Sequence, residues 1–270
     1  MRQNIQKRKH ILMHKLKIIS IAITVLLLVV FSVYFLQPQK SEIQEIPQSV
    51  SAKQAIPDFA EIKQTTEKKK AFFSYLRPEV ETQNAHILLQ REFVHGLRAK
   101  HIAEEQITEN QMEELLWLMK EYRVEENDDL DLVFDKLLTR IDIVPVELVL
   151  VQTANESAWG TSRFARKGYN FFGLWCFRKG CGFVPKRRND GAAHEVAKFD
   201  DLSTGMYTYL RNLNRHDAYK EMRAIRKQLR DQMKPISATA LTEGLTKYSE
   251  RGDDYVVELK HMIRTNQDLM

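Results

Sequence analysis

Apolar positions along most of this chain recur at helical spacing. Between Asp58 and Lys100 they are Phe59, Ile62, Phe72, Phe73, Tyr75, Leu76, Ile87, Leu88, Val94 and Leu97. Pro78 interrupts the run, which predicts two or three helices there. Thr108 to Gln111 has the form of a capping box, and Met112, Leu115, Leu116, Met119 and Tyr122 continue as one helix face. Residues 123–131 are an acidic turn without the glycine and terminal glutamate of a calcium loop, so they read as solvated. The period resumes from Leu132 to Ile143. Pro145 then opens a helix whose apolar residues Val146, Val149, Leu150 and Ala154 carry it towards Gly160.

From Phe171 to Phe199 the pattern changes. Short aromatic or β-branched runs alternate with Gly173, Gly180, Gly182, Gly191 and Pro185, which predicts loops and a small hairpin. Residues 194–199 alternate polar and apolar as a half-exposed strand does. Helical spacing returns over 206–213, 218–233, 241–248 and 255–263. The expected body is mainly α, with one small β-hairpin lobe beside the helix that starts at Pro145.

The pattern at the start of the chain is of another kind. Residues 18–36 are nineteen in a row without a charge, enough as a helix to span about 28 Å of hydrocarbon. Residues 1–17 before them carry Arg2, Lys7, Arg8, Lys9, Lys15 and Lys17 and no acid. By the positive-inside rule 1–17 is a cytoplasmic segment and 18–36 a single-pass signal anchor in the inner membrane, with the remainder in the periplasm. Cleavage near Val50-Ser51-Ala52 is the weaker reading, because that site lies far beyond the apolar run. Residues 37–57, with three prolines and no period, read as a linker. Residues 58–140 are expected to form a helical N-terminal part of the periplasmic domain, and 141–270 its catalytic part.

Composition changes this picture little. At 43% hydrophobic residues the 270-residue chain can bury a proper core, which excludes disorder. The formal charge of +5 suits an anionic partner, although much of it sits in residues 1–17. Export argues against nucleic acid, and no phosphate loop or dinucleotide fingerprint suggests a nucleotide. Cys176 and Cys181 are the two cysteines; in an exported chain they read as a disulfide, with a free or metal-bound pair as the alternative. His194 and His216 lack paired ligand spacing, so neither a metal nor another cofactor is expected.

Candidate chemistry begins at Glu156, near the end of the helix opened by Pro145, with Trp159 three positions on. A carboxyl held against an aromatic wall loses solvation for its ionised form and keeps a proton to donate near neutral pH. Helical spacing would put Trp159 on the same face. The surrounding E-S-A-W-G-T-S-R-F-A (156–165), followed by Y-N-F-F-G (169–173), resembles the glucosaminidase domain of bacterial cell-wall hydrolases, glycoside hydrolase family seventy-three. W-C-F-R-K-G-C-G-F-V-P, N-L-N-R-H-D-A-Y and Y-S-E-R-G-D-D-Y extend the resemblance to the Bax-type branch, over about residues 58 to 270.

That resemblance implies a lysozyme-like α+β fold and cleavage of the peptidoglycan glycan after N-acetylglucosamine, with Glu156 as general acid. It implies that Asn170, Phe171 and Phe172 line the substrate groove and that Tyr248 lies near the cleaved bond. Trp175 offers a stacking face for sugar. Relatives carry a second acid where this chain has Lys186 to Arg188, so Glu195 and Asp190 are the nearest carboxylates for that role. Because of this departure a lytic transglycosylase, an amidase-type wall hydrolase and a non-catalytic peptidoglycan-binding scaffold stay open. Arg178, Lys179, Lys186, Arg187 and Arg188 make the lobe cationic, which suits carboxylate-bearing peptidoglycan. Arg140 and Asp142 are expected to hold the entrance of the Glu156 helix.

Overall fold

The computed structural model of the chain describes residues 13, 19–20, 22–28, 31, 41–127, 129–185 and 194–270. It divides into two units, Met1–Glu45 and Ile46–Met270. In the first unit residues 22–28 are helical. Among the described residues no helix is long and apolar enough to cross a membrane, and the span expected over 18–36 lies partly outside them.

The second unit is built on α1 (Thr65–Ile102), a single 38-residue helix. Its buried stripe runs through Phe72, Phe73, Leu76, Val80, Val94 and Leu97. The break expected at Pro78 does not occur: the helix runs through it. Proline removes the amide that would meet the Ser74 carbonyl, at a cost of about 3 kcal/mol. Ser74 is exposed, so solvent can take up that carbonyl, while burial of the residues on either side offsets the loss.

The linker expected over 37–57 is also corrected, because from Ile46 onward the chain belongs to the domain. Ser49 and Ser51 are buried. The Ser49 hydroxyl donates to Glu79, and Gln83 donates to the Pro47 carbonyl at 2.9 Å. Glu79, itself fully buried, accepts further from Gln83 at 2.8 Å and Ser203 at 3.0 Å. Docking through polar side chains and proline carbonyls leaves no hydrophobic period, which is why the sequence pattern does not show it.

The helices α2 (Glu109–Glu121), α3 (Leu130–Arg140) and α4 (Val146–Glu156) follow. The capping box at Thr108 and Gln111 is formed. Helix α4 is buried from Leu148 to Ala154 and packs on α1. It ends at Glu156, short of Gly160, because Ser157 turns its hydroxyl back to the Thr153 carbonyl at 2.6 Å and accepts from Gly160 N–H at 2.8 Å. Ala158 and Trp159 then adopt left-handed backbone, with φ of 50° and 56°.

After α5 (Arg163–Gly168) come the strands β1 (Trp175–Cys176), β2 (Gly182–Phe183) and β3 (Glu195–Ala197). They form an antiparallel sheet in the order β1-β3-β2, so the expected hairpin is a three-stranded lobe with its last strand in the middle. The chain closes with α6 (Leu202–Arg215), α7 (Lys220–Asp231), α8 (Ala238–Thr242) and α9 (Asp253–Asn266). Helices α8 and α9 pack against α4.

Asp142 holds the entrance of α4 as the sequence suggests, whereas Arg140 turns to the loop after α2. Asp142 is buried and pairs with Arg230 through both oxygens, at 2.7 and 3.0 Å. Burial alone would raise its carboxyl, but the Arg230 hydrogen bond and the charges of Arg226, Arg91 and Arg230 bring it below the ordinary value. Arg140 donates to the carbonyls of Tyr122 and Arg123. Arg226, 1% exposed, donates to the carbonyls of Thr139, Arg140, Asp142 and Ile143 and to Asn214. It thereby satisfies the end of α3 from inside the protein.

Candidate active site

Glu156 stands where α4 ends, at the wall of a cleft of about 1140 Å³. A directed chain of hydrogen bonds reaches it. Tyr209 donates to Gln152 Oε1 at 2.7 Å, Gln152 Nε2 donates to the Tyr255 hydroxyl at 3.2 Å, and Tyr255 donates to Glu156 Oε1 at 3.0 Å. Gln152 and Glu156 are one helical turn apart, so α4 supplies both the carboxyl and the amide that orients its partner. Since Oε1 is occupied as an acceptor, a proton on Glu156 belongs on Oε2. That oxygen lies against Gly173, where an added Cβ would come within 2.9 Å of it. Gly173 also has a φ of 66°, so both space and backbone call for glycine.

Burial raises the Glu156 carboxyl above its ordinary range, and the Tyr255 hydrogen bond and the Arg251 charge offset only part of this. The neighbouring charge of Glu258 acts in the same direction as burial. Glu258 is itself held by Arg251 and by Asn155 at 3.3 Å. Tyr209, Tyr219, Tyr248 and Tyr255 surround the site, each pushed up first by burial and further by the Glu156 charge. They therefore remain donors at any ordinary pH. Tyr248 and Tyr255 stack with ring centres 5.6 Å apart, and Tyr248 lines the cleft while donating to the Phe172 carbonyl at 2.8 Å.

The aromatic wall is therefore tyrosine, and the role expected of Trp159 is not the one it has. The left-handed turn after Glu156 sends the Trp159 ring onto α1, 5.6 Å from Phe72 and 5.3 Å from Phe73, with the Lys69 ammonium over it. Asn170 is buried and works as a clamp. Its amide donates to the carbonyls of Leu174 and Ala197, both at 2.8 Å, while its oxygen accepts from Phe172 and Leu174. Phe171 is core, and the Phe172 ring lies buried on Tyr209 at 4.8 Å. Asn170 and Phe171 shape the groove from behind, while Phe172 lines it with its ring almost wholly buried. Trp175 does lie in the cleft, 55% exposed and stacked on His194 at 3.9 Å.

Cys176 and Cys181 are joined in a disulfide that closes the tip of the lobe. Glu195 sits behind that loop, buried, with its two oxygens accepting from the N–H groups of Gly180 at 2.9 Å and Gly182 at 2.8 Å. It does not line the cleft, so the structure gives it a holding role in place of the second catalytic one expected of it. Asp190, with Lys186, Arg187 and Arg188, lies outside the described residues. Cys176, Cys181 and Glu195 are also the one cluster of ligand-type atoms among the described residues, and both sulfurs are spent in the disulfide.

Three residues of the site escape sequence reasoning. Tyr255 closes the motif Y-S-E-R-G-D-D-Y and was visible only as part of it, as was Glu250, the other carboxylate lining the cleft. Arg123 reaches the cleft from the turn after α2, and no periodic signal marks it. Comparison with known proteins bears on the same region. Residues 133–268 match the family described as Glucosaminidase: Mannosyl-glycoprotein endo-beta-N-acetylglucosaminidase. Protein bax of Escherichia coli (strain K12) is 31% identical over 233 residues, covering 86% of this chain and 82% of that protein. No solved structure matches the chain.

Proposed function

Since the chain belongs to the glucosaminidase family, in its Bax-type branch, we propose that it hydrolyses the glycan of peptidoglycan at the bond following N-acetylglucosamine, with Glu156 as general acid. The observation that carries this reading is the carboxyl itself: raised by burial, with Oε1 taken up by Tyr255 and Oε2 left facing Gly173. From Oε2 the proton passes to the glycosidic oxygen as the bond to the anomeric carbon lengthens and positive charge spreads over the ring. Tyr255 then stabilises the carboxylate left behind. The charge on the ring is met by Glu250, which also lines the cleft, or by the sugar's own acetamido group, after which water completes the exchange. Replacing Glu156 by Gln keeps the hydrogen bond from Tyr255 and removes the proton. Clearing of cell-wall sacculi should then fall by about 10² to 10⁴. Retention of wild-type rates would rule out the role.

The commitment of Glu195 to backbone amides favours one second reading, a lytic transglycosylase in which the acid works without a lobe carboxylate and the product ring closes on itself. The long uncharged run of residues 18–36 behind a basic start supports anchoring in the inner membrane with the domain in the periplasm. Its test is a fusion of a reporter to the C-terminus that is active only outside the cytoplasm.

A further inference from the structure

One end of the cleft includes Arg123, which the match over 133–268 does not contain. At the C-terminus of α2 the chain turns through Arg123, whose φ is 56°. Arg140 holds this turn through the carbonyls of Tyr122 and Arg123, at 2.6 and 2.7 Å, and Val124 N–H closes it on the Met119 carbonyl at 2.7 Å. The backbone is thus fixed, and the exposed Arg123 side chain lies along the cleft. Across from it Arg215, in the last turn of α6, donates to the Glu121 carbonyl at 2.9 Å and also lines the cleft.

Glu121 is the nearby acid, but its carboxylate is taken by Arg211 and by the Tyr207 hydroxyl. Among the described residues neither Arg123 nor Arg215 is in an ion pair; burial first, then the charges of Arg211 and Arg123, work against the Arg215 cation, and the Glu121 carboxylate offsets this only in part. Like charges that share one cleft repel unless an anion joins them. Thr208 and Asn212, on the same face of α6 as Arg215, add neutral hydrogen-bonding groups to that end. A neutral amino-sugar chain has no use for this arrangement.

We propose that Arg123 and Arg215 form a carboxylate-binding subsite at the end of the Glu156 cleft, which takes an acidic group carried on a side branch of the glycan. The proposal rests on the glycan-cleaving reading for its ligand class. It makes the helical part ahead of residue 133 a contributor to substrate choice and not only a support.

The test is cosedimentation of the full chain carrying Glu156→Gln, so that the glycan stays intact, with three preparations. These are whole sacculi, sacculi whose carboxyls have been converted to methylamides, and glycan strands stripped of peptide, whose carboxylate is the lactyl one that the stripping frees. Adding Arg123→Gln should weaken binding to whole sacculi about tenfold, a loss of roughly one charge-assisted contact, and leave the methylamide form unchanged. Arg215→Gln should do the same. Loss on whole sacculi alone would assign a peptide carboxylate, and loss on stripped strands as well would show that the site also takes the lactyl carboxylate that stripping frees. Equal weakening on the methylamide form, or none on whole sacculi, would overturn the subsite. Unmutated protein that binds sacculi but does not cut them would sink the catalytic reading and leave this one standing.

Discussion

Without its proton, Glu156 costs the fold stability. Because burial raises its carboxyl above the unfolded value, the folded state binds the proton more tightly, and stability falls as pH rises through that interval. The penalty is complete only above the raised folded value, and below the unfolded value near 4.5 it is gone. Glu156→Gln is therefore expected to melt higher than wild type at pH 7 and to lose that advantage at pH 4, as differential scanning calorimetry would show. Tyr255→Phe acts on the same group in another way. It deletes a hydrogen bond that favours the carboxylate, so the alkaline limb of kcat/KM should move to higher pH. A limb that moved down, or stayed, would mean that Tyr255 does not address the titrating acid. Sequence spacing revealed Glu156 but not this partner, because 99 positions separate them and only the docking of α9 on α4 brings them together.

The sheet lobe and the two helices that frame the site show where periodicity stops being informative. Helical spacing correctly marked α2 and α6, each of which buries one face, and α4, which is buried all round from Leu148 to Ala154. It carried α4 too far because Ala158 and Trp159, neither of them glycine, take left-handed backbone that a Ser157 hydroxyl supports. It gave Glu195 the wrong task because the partners of that carboxylate are amides of a loop shaped by the disulfide, and amides leave no trace in residue type. The holding role has a plain consequence. Glu195→Gln replaces one acceptor by a donor facing an N–H, so thermal stability should drop while kcat falls less than about tenfold, against the 10² or more expected for a group that meets the transition state. Opening the disulfide by Cys176→Ser with Cys181→Ser should cost about 2 kcal/mol in denaturant unfolding, the value expected for so short a loop.

Across the domain, Arg226 and α1 decide what can be cut away. Arg226 supplies donors to four carbonyls at the junction of α3 and α4 and to Asn214 on α6. Arg226→Met would strand these acceptors, and a loss of about 3 to 5 kcal/mol is expected, seen as a melting temperature lowered by roughly 10 °C. Helix α1 lies wholly ahead of the matched family segment, yet it packs on α3, α4 and α6 and buries Phe72, Leu76 and Val80. Residues 133–270 alone should therefore fail to fold, while 46–270 should give a cooperative transition by circular dichroism. The boundary at Ile46 could not be read from the chain, since Pro47 and Ser49 dock through single polar contacts and not through an apolar stripe.

The central claim is that Glu156 protonates the oxygen leaving N-acetylglucosamine, and product chemistry tests it most directly. Purified sacculi digested with the full chain, wild type and Glu156→Gln, would be reduced with borohydride and read by mass spectrometry. Fragments ending in reducible N-acetylglucosamine, released by the wild type and not by the variant, are the expected result. Anhydro ends, or the same fragments from both proteins, would contradict it.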